Sequence, residues 1–374
     1  MKYLFLMMML SISMSVLSND NTISSTSDTS DDILSNLHFI GHLSPDADSV
    51  MSAIAAAKLY NGVASISGKL DSESSFVFDF ISRNKKKGLV LPPIVRVTDD
   101  ENKLLPEFER GISWGLVDCH QSAKLPINLD INCIQKIIDH HSITSSLIKN
   151  PTLKNENIDI TPRGSTCTML ALKFFESKKK ISPTYATILL SGIISDTNFL
   201  TMKATTTDLD FKMFECLKEI AAIDDIKEFA KKMFEARTSA IEKLSHSSST
   251  LNKLLLEDYK EFQTGNKRVA LPAVETTRAL ELTQNLNLEV NKREILLQMK
   301  KLKEENKLDH IFFAVIDRMN PKTYLFYLDE DELLVKESFQ ESPEIFSDNI
   351  YYIPKKNART SEIFAQIERE IQNR

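Results

Sequence analysis

Three short apolar runs in the first half of the chain each break off into acids and imidazoles. They are "LHFIGHL" (37–43), "GISWGLVDCH" (111–120) and "INCIQKIIDHH" (131–141). Runs of this length bounded by polar residues read as buried strands. Two stretches of helical spacing accompany them. "SVMSAIAAAKLYNG" (49–62) closes on the stop signal Asn61-Gly62, and "SPTYATILLSGIISDTNFL" (182–200) is opened by Ser182-Pro183. Strands alternating with helices predict an α/β fold on a parallel sheet flanked by helices. Such sheets bind ligands outside the carboxyl ends of their strands, which is where these polar clusters fall.

In "IIDHHSI" (137–143) Asp139, His140 and His141 follow one another directly. Neighbouring side chains on an extended backbone leave in opposite directions, so the two histidines have different surroundings. The loop "GHLSPDADS" (41–49) adds His42, Asp46 and Asp48, with Ser49 the expected N-cap of the following helix. If that loop is extended, Asp46 and Asp48 share a face. "LVDCH" adds Asp118 and "GIISDT" adds Asp196, giving five carboxylates and three histidines at strand or helix ends. Any one of these aspartates alone would be read as a cap or turn residue. Together, mixed imidazole and carboxylate donors suit Mn, Co, Zn or Fe better than Ca. So many carboxylates can hold two divalent ions about 3.5–4 Å apart, the arrangement that clamps a phosphoryl group for in-line attack.

Composition limits the alternatives. With 374 residues and 42% apolar content, the chain has room for two domains and a sizeable core. A net charge of -6 argues against a general nucleic-acid binder. The 9 glycines include no adjacent pair and no phosphate-cradling pattern of the P-loop or dinucleotide type. Beyond about residue 220 the character changes. "AAIDDIKEFAKKMFEA" (221–236) is a charged helical stretch, and "GNKRVALPAVET" (265–276) and "DHIFFAVIDRM" (309–319) read as strands with a long amphipathic helical region between them. A boundary near 222–226 then separates a domain over 36–222 from a smaller α/β domain over 226–374. Cys119, Cys133, Cys167 and Cys216 form no paired framework, so disulfides are not expected to hold the fold. The N-terminus has Lys2, an apolar run over 3–17 and small residues near 18, which reads as a signal peptide (1–18). A Ser, Thr and Asp-rich disordered spacer is expected over 19–35. The expected location is therefore outside the cytosol (secreted, periplasmic or vesicular), or cytoplasmic if the segment is not cleaved. No stable membrane contact is expected after its removal.

"GHLSPDADS", "VDCH", "IDHHSI" and "SGIISDTNFL" resemble, in order and spacing, the four motifs of the DHH phosphoesterase superfamily. "LDSESSFVFDFI" (70–81), "GSTCTML" (164–170), "MKATTTDLD" (202–210) and "DYKEFQTGNKRVALPAVET" (258–276) resemble the manganese-dependent, family II inorganic pyrophosphatases, so that the likeness covers 37–374. The resemblance implies a DHH domain followed by a DHH-associated domain that closes over the cleft. It implies hydrolysis of pyrophosphate to two phosphates by a metal-bridging hydroxide. The cofactor would be two or more Mn2+ ions, with Co2+ or Mg2+ as substitutes and Mg2+ accompanying the substrate. His42 and Asp46 would hold one ion, Asp48 and His140 a second, Asp118 would bridge them and Asp196 would complete the site. His141 would face the substrate phosphate and the nucleophile, and Asp139 would orient a histidine. Lys355 and Lys356 of "IPKKNARTSEI" match two substrate-binding lysines. The protein would be a monomer or a homodimer that acts on a small molecule and not on nucleic acid.

Three departures touch the substrate side. The family's Asp-His-Asn is Asp118-Cys119-His120, Pro354 replaces a substrate-binding arginine, and Glu235 replaces a lysine with Arg237 two residues later. Arg237, Arg359 or Lys203 are the candidates to compensate, and Arg237 is taken as a substrate-binding residue. An exopolyphosphatase or other short-chain phosphoanhydride hydrolase, and a non-catalytic phosphate-binding relative, are the alternatives.

Overall fold

The computed structural model describes residues 36–143, 153–245, 248–256, 258–340, 344–356 and 358–374. The leader expected over 1–18 and the spacer expected over 19–35 lie outside these residues.

The first half runs β1 (Leu37–Ile40), α1 (Ala47–Tyr60), β2 (Val63–Ile66), α2 (Ser72–Arg83), β3 (Val95–Arg96), β4 (Ser113–Val117), β5 (Ile134–Asp139), β6 (Ile158–Ile160), α3 (Thr166–Glu176), α4 (Pro183–Asp196) and α5 (Asp208–Lys218). Its six strands form one parallel sheet in the order β3-β2-β1-β4-β5-β6. Adjacent apolar residues divide between the two faces, as a pleated strand requires. Phe39, Val117 and Ile138 join the core that holds α1, α3 and α4, while Ile40, Leu116 and Ile137 join Trp114, Val97 and Leu125 on the other side. The alanine-rich α1 is buried nearly all round, as a helix with apolar residues on every side must be. Asn61 ends it in the left-handed conformation, and Pro183 occupies the first turn of α4.

The second half runs α6 (Ile226–Ser245), α7 (Ser248–Leu256), β7 (Glu261–Thr264), β8 (Lys267–Ala270), β9 (Ala273–Thr276), α8 (Ala279–Leu286), α9 (Glu289–Glu305), β10 (His310–Asp317), β11 (Lys322–Tyr327), α10 (Glu332–Ser338), β12 (Glu344–Ser347), β13 (Ile350–Pro354) and α11 (Ala365–Asn373). Its mixed sheet is ordered β12-β13-β11-β10-β8-β7, with β9 also pairing β10. Helices α7, α8 and α9 cover one face, while α10 and α11 cover the other.

Local chemistry moved some boundaries. The strand expected over 265–276 is two strands, β8 and β9, parted at Leu271-Pro272, because proline has no N–H for the ladder. The long helical region divides into α8 and α9. Phe229, Ala230, Met233 and Phe234 of α6 lie in the core of the first domain, with the Phe229 ring 5.4 Å from Phe76 and 4.9 Å from Phe80. The first half of α6 thus packs on the first domain, although it follows the boundary expected at 222–226.

Candidate metal centre

The order of the first sheet reverses between β1 and β4, which opens a crevice at their carboxyl ends. His42 follows β1, Asp118 follows β4, and Asp139 ends β5 with His140 and His141 behind it. Asp46 and Asp48 stand at the start of α1, and Asp196 is the last residue of α4. Gly41 is what lets β1 turn this closely, because a Cβ there would fall 1.7 Å from Ser49 Oγ. Asp118 has a φ of 57°, in the left-handed region that aspartate enters only at some cost.

Asp118 is the hub. Its Oδ2 lies 3.4 Å from His42 Nε2, and its Oδ1 lies 3.2 Å from His140 Nε2 and 3.6 Å from His141 Nδ1. His42 Nε2 is also 3.5 Å from Asp46 Oδ2, and His140 Nε2 is 3.2 Å from Asp196 Oδ2. Two donor groups result, His42–Asp46–Asp118 and Asp48–Asp118–His140–Asp196, and within each the donor atoms lie within 4.8 Å of one another. Asp118, Asp139, His140 and His141 form a third such group.

The imidazoles are set for this role. His42 Nδ1 meets the Leu43 carbonyl at 2.7 Å, and His140 Nδ1 meets the Arg163 carbonyl at 2.9 Å. A carbonyl only accepts, so each Nδ1 carries a proton, and each Nε2, once it gives up its own proton, turns a lone pair toward the carboxylates. His140 Nε2 is buried without a hydrogen bond. Burial, reinforced by the charge of Asp118, pushes Asp48 up to about 6, while burial and Asp48 push Asp196 well above the usual carboxylate range. For Asp118 burial works the same way, but the imidazoles of His140 and His42 facing it prevail and hold it low. Burial lowers His42 and His140, and the facing carboxylates overcome it and raise both. This is a cluster of negative charge sharing too few protons, and its donor set fits a divalent cation.

Ser49 is not the N-cap of α1. Asp46 takes that place, accepting from the Ser49 N–H at 3.0 Å. Asp46 and Asp48 consequently do not share one face of an extended loop. Asp48 lies in the first helical turn, fully buried, and its carboxylate accepts from Ser165 Oγ at 2.6 Å, Thr166 N at 2.7 Å and Cys167 N at 3.1 Å. It thus caps the start of α3, whose free N–H groups favour an anion. Asp139 meets His141 Nδ1 at 2.8 Å through Oδ1 and His120 Nδ1 at 2.5 Å through Oδ2. His120 stood out in the sequence only as a displaced histidine.

A cleft of about 830 Å³ opens on this cluster. His42, Asp46, Asp118, His141 and Asp196 line it, together with the cations Lys69, Arg96, Lys124, Arg237 and Lys260. Arg237 is therefore at the cleft, facing the charges of Glu275, Glu73, Asp258 and Asp71. Lys355 and Lys356 do not line it. Lys355 is exposed in a left-handed turn, and Lys356 borders a separate small pocket with Glu337, Gln366 and Arg369. The chain turns away where β13 ends at Pro354, and the Lys356 carbonyl is held by Thr323 Oγ1 at 2.9 Å. Glu235 leans toward Lys231 at 3.8 Å, Arg359 is committed to Asp258 at 2.7 Å, and Lys203 does not line the cleft. Lys260 stands in the quoted "DYKEF", but nothing in that segment marks it as a cleft residue. Lys69, Arg96 and Lys124 belong to loops and short elements that no motif marks.

Residues 36–193 match the family model of the DHH family, N-terminal domain, and residues 231–359 that of the DHHA2 domain. A manganese-dependent inorganic pyrophosphatase of Methanocaldococcus jannaschii is 30% identical over 80% of this chain and 89% of its own length. One from Methanothrix thermoacetophila is 26% identical over 82% of this chain and 89% of its own. The crystal structure of a Methanococcus jannaschii protein assigned to the family II inorganic pyrophosphatases superimposes with a TM-score of 0.64 at 25% identity, covering 90% of this chain and 99% of that one. With its ligands gathered at the reversal of a parallel sheet and a second α/β domain behind them, the chain belongs to the manganese-dependent inorganic pyrophosphatases, in which a DHHA2 domain follows a DHH domain.

Proposed function

We propose that this protein hydrolyses inorganic pyrophosphate to two phosphates, using divalent metal held around Asp118. The observation that carries the reading is that one buried carboxylate belongs to two donor groups, each with a histidine Nε2 aimed into it. His42, Asp46 and Asp118 hold one ion, and Asp48, Asp118, His140 and Asp196 hold the other. The ions are Mn2+, with Co2+ or Mg2+ as substitutes and a further Mg2+ entering with the substrate. When bound, they lower the pKa of the attacking water and polarise the phosphoryl oxygens.

The chain's own groups do the rest. Asp139 holds the Nδ1 of His141, leaving Nε2 as the ring nitrogen for the substrate and its nucleophile. Lys69, Lys124, Arg237 and Lys260 bring positive charge to a polyanion at the wall of a carboxylate-rich site. A cleft of this volume also admits longer phosphate chains, which keeps a short-chain polyphosphatase as the second reading.

The test is phosphate release by the purified protein with Mn2+ from pyrophosphate, tripolyphosphate and long polyphosphate. Fast release from pyrophosphate alone supports the reading. Preference for longer chains supports the second reading, and no release with Mn2+ bound supports a non-catalytic relative. Export is proposed from residues 1–18 alone, and N-terminal sequencing of the protein from its host would overturn it by finding Met1. Size-exclusion chromatography decides between monomer and homodimer.

A further inference from the structure

The second domain sends the side chain of Arg318 into the first. Arg318 directly follows β10 and is only 3% exposed. Its Nη2 donates to the Ser195 carbonyl at 2.6 Å and its Nε to Asn198 Oδ1 at 2.7 Å, while Nη1 is paired with Glu73. Glu275 Oε2 lies 3.5 Å from Nε, and the guanidinium sits 4.3 Å from the centre of the Phe234 ring. The other oxygen of Glu73 accepts from the Ser195 hydroxyl at 2.7 Å. Ser195 is thus gripped by its hydroxyl and its carbonyl at once. The next residue is Asp196.

A buried guanidinium is tolerated only when its charge and its donors are matched. Here Glu73 and Glu275 match the charge, and the carboxyl end of α4, where the last carbonyls carry partial negative charge, takes Nη2. The planar fork also fixes directions that a lysine ammonium would leave free. Ser195, the residue before Asp196, is thus held by groups from two domains, while the Asp196 carboxylate belongs to the metal cluster. We propose that Arg318 is a positioning residue for Asp196, so that affinity for the ion in the Asp48–Asp118–His140–Asp196 group depends on the docking of the second domain. This rests on the metal-centre reading.

The test is Mn2+ binding to the whole protein by titration calorimetry, with thermal unfolding recorded alongside. Arg318→Lys keeps the charge and loses the fork. It should weaken one Mn2+ ion by about 10–100-fold, the usual effect of removing a group that orients a ligand, and leave the other near the wild-type value. Asn198→Gly removes the Nε acceptor while suiting the φ of 46° at this position, and should weaken the same ion by less, which keeps the test open if an Arg318 variant fails to fold. Folded variants that bind both ions as tightly as the wild type overturn the inference and leave Arg318 as a structural contact. A wild type that binds no Mn2+ overturns the metal-centre reading and the inference with it.

Discussion

Asp139 and His120 meet at 2.5 Å, both about 1% exposed, and the contact bears on which way His141 faces. The other oxygen of Asp139 accepts from the His141 N–H at 3.0 Å and from its Nδ1 at 2.8 Å. With a partner on each oxygen, the carboxylate cannot turn without breaking a buried bond. Burial works against its ionisation, but the hydrogen bond from His141 prevails and holds it below the usual range. His120→Ala would leave Asp139 Oδ2 without this partner and should cost about 1–3 kcal/mol of stability. Turnover should fall by about 10–100-fold with Mn2+ affinity little changed. His120→Asn, which restores an N–H donor, should recover part of the rate. Steady-state kinetics of the two variants decide the matter, and an unchanged kcat in His120→Ala would leave the contact a structural one.

Asp118 belongs to both candidate ion sites, whereas Asp46 belongs to one. Asp118→Asn should therefore abolish binding of both Mn2+ ions, and Asp46→Asn should weaken one. Stoichiometry from equilibrium dialysis would show the difference. Two ions retained in Asp118→Asn would mean that the two donor groups do not share a ligand.

The cleft takes its cations from Lys260 and Arg237 but not from Lys355 or Lys356. Lys260→Ala and Arg237→Ala should lower kcat/KM for pyrophosphate by about tenfold or more, as expected for a lost charged hydrogen bond to phosphate. Lys356→Ala should stay near wild type. Equal losses at Lys356 and Lys260 would mean that the second domain moves its C-terminal turn onto the substrate.

Asp71 caps α2, accepting from the Ser74 N–H at 2.8 Å, and burial with the charge of Glu73 raises it from 3.8 to about 6. The native state therefore binds this proton more tightly than the unfolded chain does, and stability falls as pH rises from about 4 to about 6. Above that window the penalty is complete, and below it there is none. Asp71→Asn keeps a capping side chain without the charge. It should gain on the order of 2 kcal/mol at pH 8 in a chelating buffer and nothing at pH 3.5. Urea unfolding at the two pH values measures this, and an equal gain at both would exclude the charge as its cause.

Much of the site could be read along the chain because its signals are short. The polar ends of β1, β4 and β5, the Asn61 stop and the Ser182-Pro183 start are decided by residues a few positions apart. Even so, spacing points to Ser49 as the cap of α1, and the structure gives that place to Asp46. Both types cap well, and only the path of the chain after Gly41 selects between them.

Sequence by itself determined the parallel α/β frame and the eight side chains, five carboxylates and three histidines, gathered at its edge. Apolar period and strand-end chemistry are local properties, and sheet topology brings such ends together without further instruction. Tertiary structure alone decided what holds those side chains in place. Asp48 finds the start of α3 117 residues away, and Arg318 reaches Glu73 across 245. It also decided that Lys69, Arg96, Lys124 and Lys260 line the cleft while Lys355 and Lys356 turn from it. Such partnerships depend on where loops and a second domain come to rest, and spacing along a chain carries no trace of them.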